Sequence, residues 1–248
     1  MPNATTGVNT VARFKALALG DEVLTTDHEY GACIAAWRCR CAETGAVLRI
    51  VEIPLPFELA AFVERMMAAG YGTRLVFASH IASTTALAFP VQALCEVARQ
   101  RGIATLIDGA HAPGQVPLGL GRLGADFYTG NCHKWMCAPK GSGFLHVRPE
   151  GYLGPALLEA PVVSWGYVAE ELAAQDNETG SDAQAARTGH TGFDAYTGRS
   201  ALERRLQWQG TRDLSAFLAV PAAIDFMAQH DWPGARAAWP PDGAGTAA

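Results

Sequence analysis

Short apolar runs separated by helix-patterned segments restrict this chain more than any other feature. The runs are Asp21–Thr25, Ala46–Ile53, Arg74–Ala78, Ile103–Ile107, Asp126–Thr129 and Gly143–Val147. Apolar residues at helical spacing fill Thr6–Leu17, Tyr30–Cys41, Phe57–Ala69 and Val91–Arg99. A strand that is apolar along its whole length is covered on both faces, and a helix between strands supplies the crossover that parallel pairing needs. The pattern therefore predicts an α/β fold, a mostly parallel sheet with helices on both faces. In such sheets ligands sit beyond the carboxyl ends of the strands. Those ends are polar here: Thr26-Asp27-His28, Ser79-His80, Asp108-Gly109-Ala110-His111 and Asn131-Cys132-His133-Lys134. These clusters, far apart in sequence, converge on one rim.

Composition removes several function classes. Twenty-four acidic against nineteen basic residues give a net charge of −5, the wrong sign for a protein whose main partner is nucleic acid or an anionic membrane. The chain has no apolar run of membrane-spanning length and no secretory leader, so a cytoplasmic location without membrane partners is expected. The six cysteines lack C-x-x-C pairs and regular spacing and are read as reduced thiols, with no metal site expected.

The rim clusters carry the candidate chemistry. Lys15, Lys134 and Lys140 are the lysines of the chain. A lysine becomes a carbonyl-reactive nucleophile when burial or a neighbouring cation lowers its pKa. Lys134 is the one on the rim; otherwise it is a surface charge. Asp108 ends a buried strand and must either face a cationic or hydrogen-bonding partner, such as a protonated pyridine, or cap a turn. His111 can bond a ligand oxygen or be a satisfied rim histidine. Thr5 and Thr6 stand at a helix amino end, where backbone N–H groups and the helix dipole suit a phosphate ester or serve as caps. Gly119-Leu120-Gly121-Arg122-Leu123-Gly124 has the letters of a dinucleotide fingerprint, but no convincing strand precedes it.

The stretches Leu106–Gln115, Gly124–Trp135 and Ala138–Gly141, with Asn3–Thr10, Thr26–Tyr30 and Trp208–Asp213, resemble in order the class V aminotransferase family of pyridoxal-phosphate enzymes, fold type I. Within it the isopenicillin N epimerase-like group is the nearest match. The resemblance implies that Lys134 is the Schiff-base lysine for pyridoxal 5'-phosphate and shuttles the substrate α proton, and that Asp108 pairs with the pyridine nitrogen. It implies that His28 stacks on the ring and His111 approaches the phenolic oxygen. Thr5, Thr6, Asn131 and His133 would hold the phosphate, with Thr211 reaching the phosphate of a partner subunit in a homodimer that shares its cofactor sites.

The implied function is carbanion chemistry at the α carbon of an amino-acid-like substrate, epimerase-like or aminotransferase-like. The alternatives are a cysteine desulfurase or carbon–sulfur lyase of the same fold, and a catalytically inactive truncated fragment. A desulfurase needs a reactive cysteine on a mobile loop, and none lies between Val168 and Arg205. The expected organisation is a cofactor-binding large domain over 1–167, a loop or insertion of low order over 168–206, a helical return segment over 207–232 and a frayed tail over 233–248. Against the family pattern the chain reads as truncated at both ends, with the small carboxy-terminal domain largely missing.

Overall fold

The computed structural model describes residues 1–13, 17–56, 58–68, 72–148, 158–164, 206–207 and 209–238. The expected strands form β1 (Glu22–Thr26), β2 (Val47–Val51), β3 (Thr73–Ser79), β4 (Ala104–Gly109), β5 (Phe127–Asn131) and β6 (Gly143–Val147). They make one sheet in the order β2-β1-β3-β4-β5-β6. All neighbours pair in parallel except β6, which runs antiparallel to β5.

Period-two alternation along the buried strands divides the core into two layers. Val23, Leu75, Phe77, Leu106 and Phe127 face one side, where α1 (Ala4–Ala12) and α2 (Gly31–Thr44) contribute Val8, Val11, Cys33 and Trp37. Leu24, Val76, Ala78, Ile107 and Tyr128 face the other. There α3 (Leu59–Ala68), α4 (Val91–Gln100) and the one-turn α5 (Leu120–Leu123) bring Phe62, Met66, Leu94, Cys95 and Leu123. The glycine-rich letters of 119–124 are accounted for by α5: Gly119 precedes the turn and Gly124, at φ +72°, closes it.

The sheet order reverses beside β1, because β2 lies to one side of it and β3 to the other. The loops leaving β1 and β3 therefore diverge and open a crevice at the carboxyl edge. The first helix is aimed at that crevice. Asn3 caps it by accepting from Thr6 N–H at 2.9 Å, so it starts at Ala4, two residues before the expected Thr6, and ends at Ala12. Gly7 lets the helix lie directly on β5, since a Cβ there would meet Thr129 Oγ1 at 2.2 Å.

The return segment forms α6 (Ser215–Leu218), α7 (Val220–Gln229) and α8 (Trp232–Ala237). Asp213 accepts from Ser215 N–H at 2.8 Å at the start of the first, and Pro221 stands in the first turn of the second. The frayed tail expected from Pro233 needs correction as far as Ala237. Asp231 caps α8 by accepting from Gly234 N–H at 3.2 Å, and Trp232 Nε1 donates to Gly114 O at 2.6 Å. Positions 168–205, expected to be a poorly ordered loop, lie outside the described residues, as do 239–248.

Candidate active site

The crevice at the carboxyl edge is a cavity of about 330 Å³, its open mouth included, walled by Ala4, Thr5, Tyr30, Ser79, Ile81, Ser83, Asp108, Ala110, His111, Asn131 and Lys134. Five expected site residues, Thr5, Asp108, His111, Asn131 and Lys134, thus share one wall system, although they come from α1, the end of β4 and the end of β5.

Asp108, the penultimate residue of β4, is 4% exposed. Its Oδ1 accepts from Ala110 N–H at 2.9 Å, and Cys33 Sγ of α2 donates to Oδ2 at 3.5 Å. Burial raises its pKa, and the Ala110 and Cys33 hydrogen bonds and the charge of Lys134 act against that rise. A buried carboxyl held this way is stabilised further by a cation meeting Oδ2.

Lys134 follows β5 in an irregular turn that leads back toward β6. Its Nζ lies 2.8 Å from His111 Nε2. Burial lowers its pKa, opposed chiefly by the carboxylate charge of Asp108. His111 is pushed down to about 4 by burial and then by Lys134, so it is neutral near pH 7. The pair is therefore a lysine poised toward its nucleophilic form and an uncharged imidazole. Lys140 is exposed in a turn, and Lys15 lies outside the described residues.

The α1 end of the cavity shows how an anion would be held. Asn131 Oδ1 accepts from Ala4 N–H at 2.8 Å, which fixes the helix amino end against the end of β5. His133, which is not among the residues that wall the cavity, has a buried Nδ1 with no hydrogen-bond partner among the described residues. A buried nitrogen without a partner is costly unless a ligand completes it. Thr6 is differently engaged than expected: its N–H and its hydroxyl both donate to Asn3 Oδ1, at 2.9 and 3.1 Å. Thr5, one residue earlier, is the threonine on the cavity wall.

His28 does not line the cavity. Its Nε2 is 2.8 Å from Ile53 O and its ring stands edge-on to Phe89, with centroids 5.9 Å apart. The aromatic residue on the wall is Tyr30, two positions later, which the sequence reading passed over. Thr211 is exposed and also lies off the wall. Glu29 was missed too. It is buried, accepts from the Thr26 hydroxyl at 2.7 Å and from Ser79 N–H at 3.1 Å, and is pushed up to about 7, mainly by burial. The Thr26-to-Glu29 spacing, a hydroxyl three residues before a carboxylate at a strand end, was its available signal.

The family model for aminotransferase class V matches residues 1–178. The chain belongs to the class V aminotransferase family. As a class V aminotransferase relative it is 43% identical over 229 residues to isopenicillin N epimerase of Streptomyces clavuligerus, an alignment spanning 92% of this chain and 53% of that protein. It is 33% identical over 219 residues to putative L-cysteine desulfhydrase 1 of Oryza sativa subsp. japonica, spanning 84% of this chain and 38% of the other. Among solved structures, the cystine C–S lyase C-DES in complex with its reaction product cysteine persulfide superposes with a TM-score of 0.73 at 25% identity, covering 92% of this chain and 55% of that one. The chain spans about half the length of the curated relatives it matches.

The residues present fit the family's pyridoxal phosphate. Lys134, whose pKa burial lowers, the buried Asp108 carboxyl, and Thr5 with the amino end of α1 on the cavity wall meet the three chemical demands of that group: an aldehyde, a basic ring nitrogen and a phosphate ester.

Proposed function

We propose that this chain carries the cofactor site of a pyridoxal-phosphate enzyme that removes the α proton of an amino acid and cleaves a carbon–sulfur bond in a cysteine-like substrate. The observation that carries the reading is the 2.8 Å pair of Lys134 Nζ and His111 Nε2 above the buried Asp108. Pyridoxal phosphate, when bound, supplies an electron sink conjugated to the substrate α carbon.

The chain's own residues do the rest. Asp108 would hold a proton at the pyridine nitrogen. Thr5, Asn131, His133 and the amino end of α1 receive the phosphate, while Thr6 keeps the cap in place. Tyr30, rather than His28, covers the ring face. Lys134 would carry the cofactor, and its Nζ would take the α proton and return it to the leaving sulfur. One base suffices for that elimination, because the proton leaves and is delivered on one side.

Sequence alone put epimerisation first and carbon–sulfur cleavage second. The desulfhydrase relatives and the C–S lyase structure give more support to the second, so the order is reversed here. Epimerisation stays as the second reading because the bacterial relatives at 43% and 41% identity carry that name. It needs a proton donor on the face opposite Lys134. Incubation with L-cysteine separates the two: sulfide released in step with pyruvate supports elimination. Solvent deuterium entering the α carbon with inversion and without sulfide moves the assignment to epimerisation. A protein that stays colourless with added cofactor overturns both and leaves an inactive fragment.

The proposal includes a homodimer in which Thr211 completes the partner's phosphate site. Thr211 is exposed in a bend opened by Gly210 at φ +93°. Loss of one hydrogen bond to a phosphate predicts that Thr211→Ala weakens cofactor binding by about tenfold or more. Absorbance-detected sedimentation measures both properties at once. A cofactor-saturated monomer whose affinity ignores Thr211→Ala ends the shared-site idea.

A further inference from the structure

His111 is held between two nitrogen atoms. Trp135 Nε1 donates to its Nδ1 at 3.3 Å, and Lys134 Nζ lies 2.8 Å from its Nε2. An indole nitrogen can only donate, so Nδ1 must accept. A neutral imidazole that accepts at Nδ1 carries its hydrogen on Nε2. That hydrogen faces Lys134. An ammonium has no lone pair to receive it, whereas a neutral amine has one.

We propose that Trp135 is a positioning residue whose indole N–H fixes His111 in the Nε2–H tautomer, making His111 a donor toward the cavity and favouring the neutral amine of Lys134.

Three features support the assignment. His111 is neutral near pH 7, chiefly because it is buried, so it has a tautomer to set. The groups facing Lys134 are Asp108 from β4, the Cys33 thiol from α2 and His111 from the loop after β4, and the carboxylate of Asp108 favours the ammonium. A donor at His111 opposes it. The loop carrying His111 is also pinned to the turn carrying Trp135. Gly114, at φ +85°, packs so closely that a Cβ would meet Trp135 O at 2.3 Å, and Trp232 Nε1 grips Gly114 O from outside. The indole and imidazole therefore hold their relative positions through neighbouring backbone. Toward the cofactor, the same tautomer presents an N–H to the phenolic oxygen, a half of the inference that rests on the proposed function.

The test is nitrogen-15 NMR of the imidazoles in the cofactor-free protein. His111 is one of seven histidines and is assigned by the resonance lost in His111→Gln. The wild type is expected to show hydrogen on Nε2. Trp135→Phe keeps the aromatic bulk and removes the donor. In that variant the Nδ1–H tautomer becomes populated and the neutral fraction of Lys134, read from its rate of reductive methylation at fixed pH, falls about three- to tenfold. In a His111→Gln background the same change leaves Lys134 unaffected, because an amide has no tautomer to lose.

A wild-type imidazole protonated on Nδ1 overturns the inference, and that measurement decides it even where Trp135→Phe fails to fold. An unchanged tautomer in a folded Trp135→Phe also overturns it. A protein in the expected tautomer that takes up no pyridoxal phosphate sinks the proposed function instead.

Discussion

Lys134→Ala yields a protein that pyridoxal phosphate does not label. Borohydride treatment of the wild type, followed by peptide mapping, is expected to place the reduced cofactor on Lys134, and the variant is expected to carry none. The chain offers few competitors, since Lys140 is an exposed turn residue off the cavity wall. Lys134 is held on the cavity wall, where burial lowers its pKa. Loss of both the covalent anchor and the proton carrier should reduce α-proton exchange of bound amino acids by about 10³-fold or more. Cofactor recovered on Lys140 or Lys15 would sink the assignment.

Asp108→Asn should leave the fold intact and reduce α-proton exchange by about 10²–10³-fold, since an amide at Oδ2 cannot hold a proton on the pyridine nitrogen. The same substitution should act on stability with the opposite sign. Burial raises the Asp108 pKa above its unfolded value, so the cofactor-free fold is favoured while this carboxyl is protonated and loses that advantage as pH rises through its folded pKa. Glu29 adds a second loss of the same sign as pH climbs from the ordinary carboxylate range to about 7. Urea denaturation of cofactor-free protein at several pH values should show wild-type stability declining over that range and a shallower decline in Asp108→Asn. Exchange that survives the substitution would make Asp108 a turn residue without a ligand.

The sheet was legible because its strands are apolar along their length and end in polar residues, a pattern that few other structures satisfy. For the same reason the convergence of Asp108, His111, Asn131 and Lys134 could be read in advance: each lies at or just beyond a strand end. What the sequence does not show is direction set by tertiary hydrogen bonds. Between Thr26 and Gly31 the chain makes an irregular turn in which Ile53 N–H donates to Asp27 Oδ1 at 3.0 Å. That contact draws His28 toward Ile53 and leaves Tyr30 on the wall, and no periodicity encodes it. Thr6 stands at the helix amino end where the resemblance implies a phosphate, and in the structure Asn3 Oδ1 accepts from both its N–H and its hydroxyl. The Cys33 thiol on Asp108 joins residues 75 positions apart across the α2–β4 packing, beyond any local pattern.

The bond from Ala4 N–H to Asn131 Oδ1, which sets the amino end of α1 against β5, spans 127 residues, and the one from Trp232 to Gly114 spans 118. Contacts of such separation must close long loops, and chains that rely on them fold slowly. During synthesis the first helix therefore waits for β5 before its amino end has a fixed position. The His111 loop likewise waits for residue 232 before it is gripped from outside. The packing around the site is thus completed late: a nascent chain halted before Trp232 lacks the hydrogen bond that holds Gly114, in the loop carrying His111, from the far end of the chain.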